Sequence, residues 1–235
     1  MCTLNVEKGM KLAMKKIILL TIIIGAISTF FIYKNFYHED MNIVALGDGI
    51  ALGETAFNVQ GYSYNDYLKD YYEENSILKE YITEFAEVEE TTKTLLLKFQ
   101  NNYTLESTNT SITQAIAKAK ILTLSLGMYE LNNKKELTTA IVDEYVNNME
   151  KILKFLRIYN KKNIVVISLY PTSRIKEEQI KNINARLEEI CKNYEIKFIN
   201  IESISQTPDY FFTKENYYFN YKGHRYISEK IIENV

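Results

Sequence analysis

Histidine and cysteine are scarce in this 235-residue chain, with two of each. Cys2 and Cys191 stand near opposite ends and, on the topology argued below, on opposite sides of a membrane, which excludes a disulfide between them. Cys2 lacks the upstream hydrophobic stretch that a lipoprotein cysteine needs. Cys191 follows Leu187 and Ile190 in an apolar-periodic helix and reads as a small core residue. Of the histidines only His224 falls in the globular part, so the acids there have no imidazole cluster to join in a metal site, and no metal or cofactor is expected. Positive charge is not in excess either. A net charge of -2 leaves nucleic-acid binding without electrostatic support. The glycines of 47–53 match neither a dinucleotide fingerprint nor a P-loop. Internal repeats are missing, and no low-complexity linker occurs beyond Lys34–Asp40. Tryptophan is absent and proline occurs twice, which by itself excludes nothing.

What is there suits one domain with a sizeable core plus an appendage: 46% of the residues are hydrophobic and 25% charged. The appendage is the uncharged run Ile17–Tyr33. As helix it spans roughly 26 Å, close to a hydrocarbon core of about 30 Å once interfacial residues help. Tyr33, Phe36 and Tyr37 form an aromatic collar at its exit. Lys8, Lys11, Lys15 and Lys16 precede the run, so the positive-inside rule keeps the amino end in the cytoplasm. The expectation is a cytoplasmic segment 1–16, a single-pass signal anchor 17–33 in the cytoplasmic membrane, a linker 34–40 and an extracytoplasmic domain 41–235. A cleaved signal peptide starting at Met14 is the competing reading, but no Ala-x-Ala-like site precedes Asn42. A core helix fits poorly, because the hydrophobicity surrounds the segment instead of forming a stripe.

From Met41 onward short β-rich runs alternate with helical ones. Strands are predicted at Asn42–Leu46, Glu80–Phe85, Lys120–Leu126, Asn163–Leu169 and Lys197–Ile201. Helices are predicted at Gly61–Glu74, Thr91–Phe99, Thr110–Lys118, Glu136–Tyr159, Glu177–Tyr194 and Lys222–Ile232. Near-continuous apolar strands separated by helices imply a five-stranded parallel sheet covered on both faces: a three-layer α/β/α sandwich, flavodoxin-like in strand order.

Four blocks carry a family pattern in order. Val44-Ala-Leu-Gly-Asp-Gly-Ile-Ala-Leu-Gly53 closes the first strand. Thr91, Thr92, Leu95 and Leu96 follow within Phe85–Leu96. Ile121 to Leu131 contains Leu-Gly-Met-Tyr-Glu-Leu, and Glu215 to Ile227 contains Asn220, Gly223 and His224. Together with Tyr145–Tyr170, these blocks make residues 41–235 resemble the SGNH/GDSL hydrolases, in particular their membrane-anchored lipase/acylhydrolase branch in Gram-positive bacteria. The resemblance implies an esterase fold whose chemistry uses a Ser nucleophile, a His base oriented by an Asp, and an oxyanion hole built from two backbone amides and an Asn side chain.

Carried over position by position, that machinery is replaced. The nucleophile is Gly49, and the oxyanion glycine falls at or near Glu89. The Asn is Tyr129 and its neighbouring Asp is Glu130. The base is Tyr218, with a phenol pKa near ~10 unsuited to base catalysis at neutral pH, and the orienting Asp is Glu215. Asp48, Gly49, Tyr129, Glu130 and Tyr218 are the expected lining of the former cleft. Asp48 reads as a structural loop cap. Tyr217 and Tyr221 join the tyrosines that either stack on a sugar or plug the cleft. The expected function is a catalytically degenerate protein at the cell envelope that binds an unknown ligand or protein partner. Two alternatives stand beside it: a working esterase or carbohydrate deacetylase whose nucleophile has moved to Ser63 or Ser125, and a purely structural envelope component.

Overall fold

The computed structural model describes residues 14–29, 40–57, 59–215 and 217–235. The chain divides into two units, Met1–Asp40 and Met41–Val235.

In the first unit, residues 14–29 are helical (α1), and the side chains of Ile17, Leu20 and Ile24 are more than half exposed. No helix among the described residues is long and apolar enough to cross a membrane. Residues 30–33 of the predicted anchor, the aromatic collar and most of the linker lie outside the described residues.

The second unit is built on a five-stranded sheet of β1 (Met41–Gly47), β2 (Leu78–Ile82), β5 (Ile121–Ser125), β6 (Asn163–Ile167) and β7 (Lys197–Ile199). The order is β2-β1-β5-β6-β7 and every pairing is parallel. Counted along this sheet alone, that is the flavodoxin-like order 2-1-3-4-5 expected from the alternation of elements. Ile43, Leu46, Leu122, Leu124 and Val165 are fully buried, as strands covered on both faces require.

The helices are α2 (Tyr64–Glu74), α3 (Thr92–Gln100), α4 (Ile112–Lys118), α5 (Met128–Asn132), α6 (Thr139–Tyr159), α7 (Glu177–Asn193) and α8 (Tyr221–Ile232). From β1 the chain moves one way to β2 and then the other way through β5, β6 and β7. Right-handed crossovers therefore place α2 on one face and α6 and α7 on the other. The contacts agree: α2 packs on α8, and α6 packs on both α3 and α7.

Several boundaries differ from the periodicity, each for a local reason. α2 starts at Tyr64 and not at Gly61, because Ser63 caps it: the hydroxyl accepts from Asp66 N at 3.1 Å while the Asp66 carboxylate accepts from Ser63 N at 2.8 Å. α6 starts three residues late, behind a Thr138 cap. β2 begins two residues early, in register with β1, and Phe85, the expected end of that strand, is instead buried beyond it. Thr110 and Ser111, expected as the first turn of a helix, pair as β4 (Thr110–Ser111) with β3 (Thr104–Leu105), and Ser111 then caps α4. α5 was not foreseen.

His224 lies on the inner side of α8, 2% exposed, where Nδ1 accepts the Tyr64 N–H at 3.2 Å and Nε2 has no partner among the described residues. Burial holds its pKa down at about 4. An imidazole titrating near 6.5 when unfolded and near 4 when folded contributes stability above pH 6.5 and loses it as the pH falls toward 4. The expected loss is about 3 kcal/mol across that window. Asp48, whose pKa burial raises to about 7, works in the opposite direction over the same range, so the imidazole is isolated by difference. In urea denaturation at pH 7, 5.5 and 4.5 the native protein should lose stability with falling pH relative to His224→Asn, which keeps an acceptor for Tyr64 N. Parallel slopes would remove the imidazole as the cause.

Candidate active-site cleft

The cleft lies at the carboxyl end of β1, where the strand leaves the sheet. Gly47 has φ +133°, and a Cβ there would overlap the Ser125 carbonyl oxygen, with the carbonyl carbon 2.7 Å away. β1 and β5 approach so closely that only glycine fits. The turn is then tied to both neighbouring segments: Asp48 N donates to Ser125 O (2.9 Å), Glu87 N to Gly47 O (3.1 Å) and Gly49 N to Val88 O (3.0 Å).

Asp48 is 1% exposed and caps the loop that follows it, as its structural reading has it; contrary to the expected lining, it is not among the residues that line the cleft. One carboxylate oxygen accepts from Gly127 N (3.0 Å) and Tyr129 N (3.1 Å), the other from Ile50 N (3.2 Å). Burial raises its pKa to about 7, against the backbone donors that lower it. Glu130 is also diverted. Its carboxylate accepts from Thr92 N (2.7 Å) and Thr92 Oγ1 (3.2 Å), closing the amino end of α3, where backbone donors and the helix dipole favour an anion.

Gly49 has an ordinary φ, so backbone conformation does not demand glycine there. The reason is a neighbour. A Cβ on residue 49 would fall inside the Glu54 carboxylate and 3.0 Å from Glu54 Cβ. Glu54 thus covers the place where a side chain at position 49 would enter the cleft.

The cavity above this floor holds about 360 Å³ and is lined by Glu54, Glu89, Tyr129, Glu215, Tyr217 and Tyr218, with Arg174 also on its wall. The structure therefore brings together Glu89, Tyr129, Glu215 and Tyr218 from three separate blocks of the sequence, beside Gly49. Tyr221 lies elsewhere, 61% exposed at the start of α8. A second hollow of about 250 Å³, formed by Leu52, Val59, Gln60 and Val88, shares Glu54 and Glu89 with the first.

Burial raises the pKa of Tyr129, Tyr217 and Tyr218, and nearby acids add to it, so these phenols stay protonated at neutral pH. Burial, then the charge of Glu89, raises that of Glu54. The alternative nucleophiles are engaged elsewhere. Ser63 Oγ donates to Asp66 Oδ2 at 2.7 Å while capping α2, and Ser125, 5% exposed within β5, accepts from the Tyr64 hydroxyl at 3.1 Å. His224 does not line the cleft. Among the described residues, no group of three or more His, Cys, Asp or Glu is arranged to hold a metal ion.

Sequence reasoning missed Glu54 and Arg174. No sequence pattern marked Glu54, because the ordinary φ of Gly49 and the filling of the space beside it by Glu54 are visible only in the fold. No pattern pointed to Arg174.

The sequence matches the family model for GDSL-like lipase/acylhydrolase over residues 33–231. No curated protein sequence matches it. Among solved structures it is similar to a lipase/acylhydrolase from Enterococcus faecalis, with TM-score 0.61 and 14% identity over 82% of this chain and 94% of that one. It is also similar to an extracellular lipase from Streptomyces rimosus, with TM-score 0.57 and 11% identity over 83% of this chain and 100% of that one. A psychrotrophic esterase from Pseudoalteromonas gives TM-score 0.53 and 16% identity over 83% and 96% of the two chains. At such identities the likeness is one of fold.

The overlap of positions 49 and 54 predicts a coupled pair. Gly49→Ala should cost about 1 kcal/mol or less, because the Glu54 carboxylate it meets is the end of a flexible side chain that can swing aside, while Glu54 Cβ at 3.0 Å has to give by a few tenths of an ångström. Glu54→Ala should cost little alone, and should remove most of the penalty when combined with Gly49→Ala. Denaturant melts of the four proteins measure the coupling. Strict additivity would mean that Glu54 does not occupy this space.

Proposed function

This chain belongs to the GDSL-like lipase/acylhydrolase family, and from that premise we propose that it is a non-catalytic member that binds a ligand or partner through its former active-site cleft at the cell envelope. The observation that carries the reading is the Glu54 carboxylate lying over Gly49. Acyl transfer needs a nucleophile at the end of the first strand, a base to take its proton and amides aimed at the developing oxyanion. Here position 49 offers no side chain, its amide is bonded to Val88 O, and the neighbouring acids Glu54 and Glu89 would repel an oxyanion. Tyr218 cannot take a proton at neutral pH. Retention of a cavity of about 360 Å³ supports binding over a cleft filled only for structural reasons. The engagement of Ser63 and Ser125 in internal hydrogen bonds weighs against a relocated nucleophile.

The purified protein should not turn over short acyl esters above background, and Gly49→Ser alone should not restore turnover, since loss of one member of such machinery removes about 10⁴–10⁶ in rate and others are missing too. Restoration requires Gly49→Ser, Tyr129→Asn, Glu215→Asp and Tyr218→His, together with Glu54→Ala and Glu89→Gly to clear both acids from the site. Spectrophotometric assay with a short-chain aryl ester is the measurement. Hydrolysis by the unaltered protein that a serine-directed inhibitor abolishes would overturn the reading.

The same proposal places residues 17–33 in the cytoplasmic membrane as an uncleaved anchor, with 1–16 inside, 34–40 as linker and 41–235 outside. In support, the run carries no charge, lysines flank its amino end, and the apolar side chains described in α1 are exposed. The protein should fractionate with membranes, and protease added to intact protoplasts should digest the domain. Release of a soluble form beginning near Asn42, or protection from the protease, would refute the anchor.

A further inference from the structure

Charge in the cleft is unbalanced. Three carboxylates, Glu54, Glu89 and Glu215, line it against one guanidinium, Arg174, whose Nη1 leans on the Asn132 carbonyl at 3.5 Å. The Glu54 side chain is partly buried and has neither a hydrogen-bond nor an ion-pair partner among the described residues. The charge that acts on it, Glu89, has the same sign. An acid held part-way out of water beside another acid is costly until a cation joins them.

The walls suit a particular kind of cation. Tyr217 and Tyr218 line the cavity and meet edge to face, with centroids 4.6 Å apart and planes at 89°, and Tyr129 stands on the same cavity. Neutral phenol rings attract ammonium groups through their negative faces. The same two acids, Glu54 and Glu89, also border the hollow of Leu52, Val59 and Val88, whose remaining lining is apolar apart from Gln60. A compact hydrated metal ion would use neither the rings nor the hollow.

Resting on the reading of the cleft as a binding site, we propose that its ligand is an organic cation: an ammonium group seated against Glu54 and Glu89 and walled by the tyrosines, its aliphatic substituent entering the hollow of Leu52, Val59 and Val88. An anionic ligand meets three like charges. A neutral one leaves Glu54 unpaired.

The test is isothermal titration calorimetry on the full-length protein in a non-ionic detergent, with choline, butylammonium, acetate and 3,3-dimethylbutan-1-ol, the last being the uncharged isostere of choline. Choline or butylammonium should bind, and the alcohol at least about tenfold more weakly, the equivalent of 1.4 kcal/mol. Added salt should weaken the cation alone. Glu54→Gln and Glu89→Gln should each weaken the cation by a similar factor and leave the alcohol unchanged. Melting temperatures of these variants should equal or exceed that of the native protein, because each relieves a like-charge contact. Equal affinity for choline and the alcohol would overturn the cation while keeping the binding cleft, as would binding of acetate alone. No binding of any of the four would overturn the cleft reading itself.

Discussion

The carboxyl edge of this sheet is held by one buried side chain. Asp48 accepts amide hydrogens from its own turn, at Ile50, and from the turn after β5, at Gly127 and Tyr129. Among the described residues, the two loops it binds share no backbone hydrogen bond beyond the one from Asp48 N to Ser125 O. The close approach at Gly47 makes this geometry attainable, and Gly127, at φ +120° with Tyr145 packed against it, completes it. Tyr129 reaches the cleft wall because its amide is pinned from below. The carboxylate needs its donors as much as they need it, since burial works against its ionised form.

Sheet order, the strands β1, β5 and β6 and the long helices were legible because their signals are local and repeated: apolar runs of strand length, and apolar stripes at helical spacing. Errors gathered at element ends, where one polar side chain decides. Ser63, Ser111 and Thr138 each moved a helix start by satisfying amides that periodicity does not register. The hairpin β3–β4 turns without glycine, with Asn109 at positive φ, just as Asn102 at positive φ ends α3 without one, and so carried little turn signal.

For the cleft, resemblance located the right loops but not the directions of their side chains. Glu89, Tyr129, Glu215 and Tyr218 face the cavity. Asp48 and Glu130 do not, because amide donors on the protein side capture them, and no spacing rule distinguishes a carboxylate aimed at solvent from one aimed at a helix end. Glu54 escaped notice for the opposite reason. Its importance comes entirely from where the loop returns, held by the Gly61 N to Gly53 O bond and the bridge between Glu54 and Gln60.

The contact between positions 49 and 54 also constrains what either residue can become. Any side chain at 49 must share its space with Glu54, so the two positions vary only together: a larger residue at 49 displaces the Glu54 carboxylate from the cavity floor, and a shorter residue at 54 opens that floor. A substitution at one position therefore sets which substitutions the other can accept.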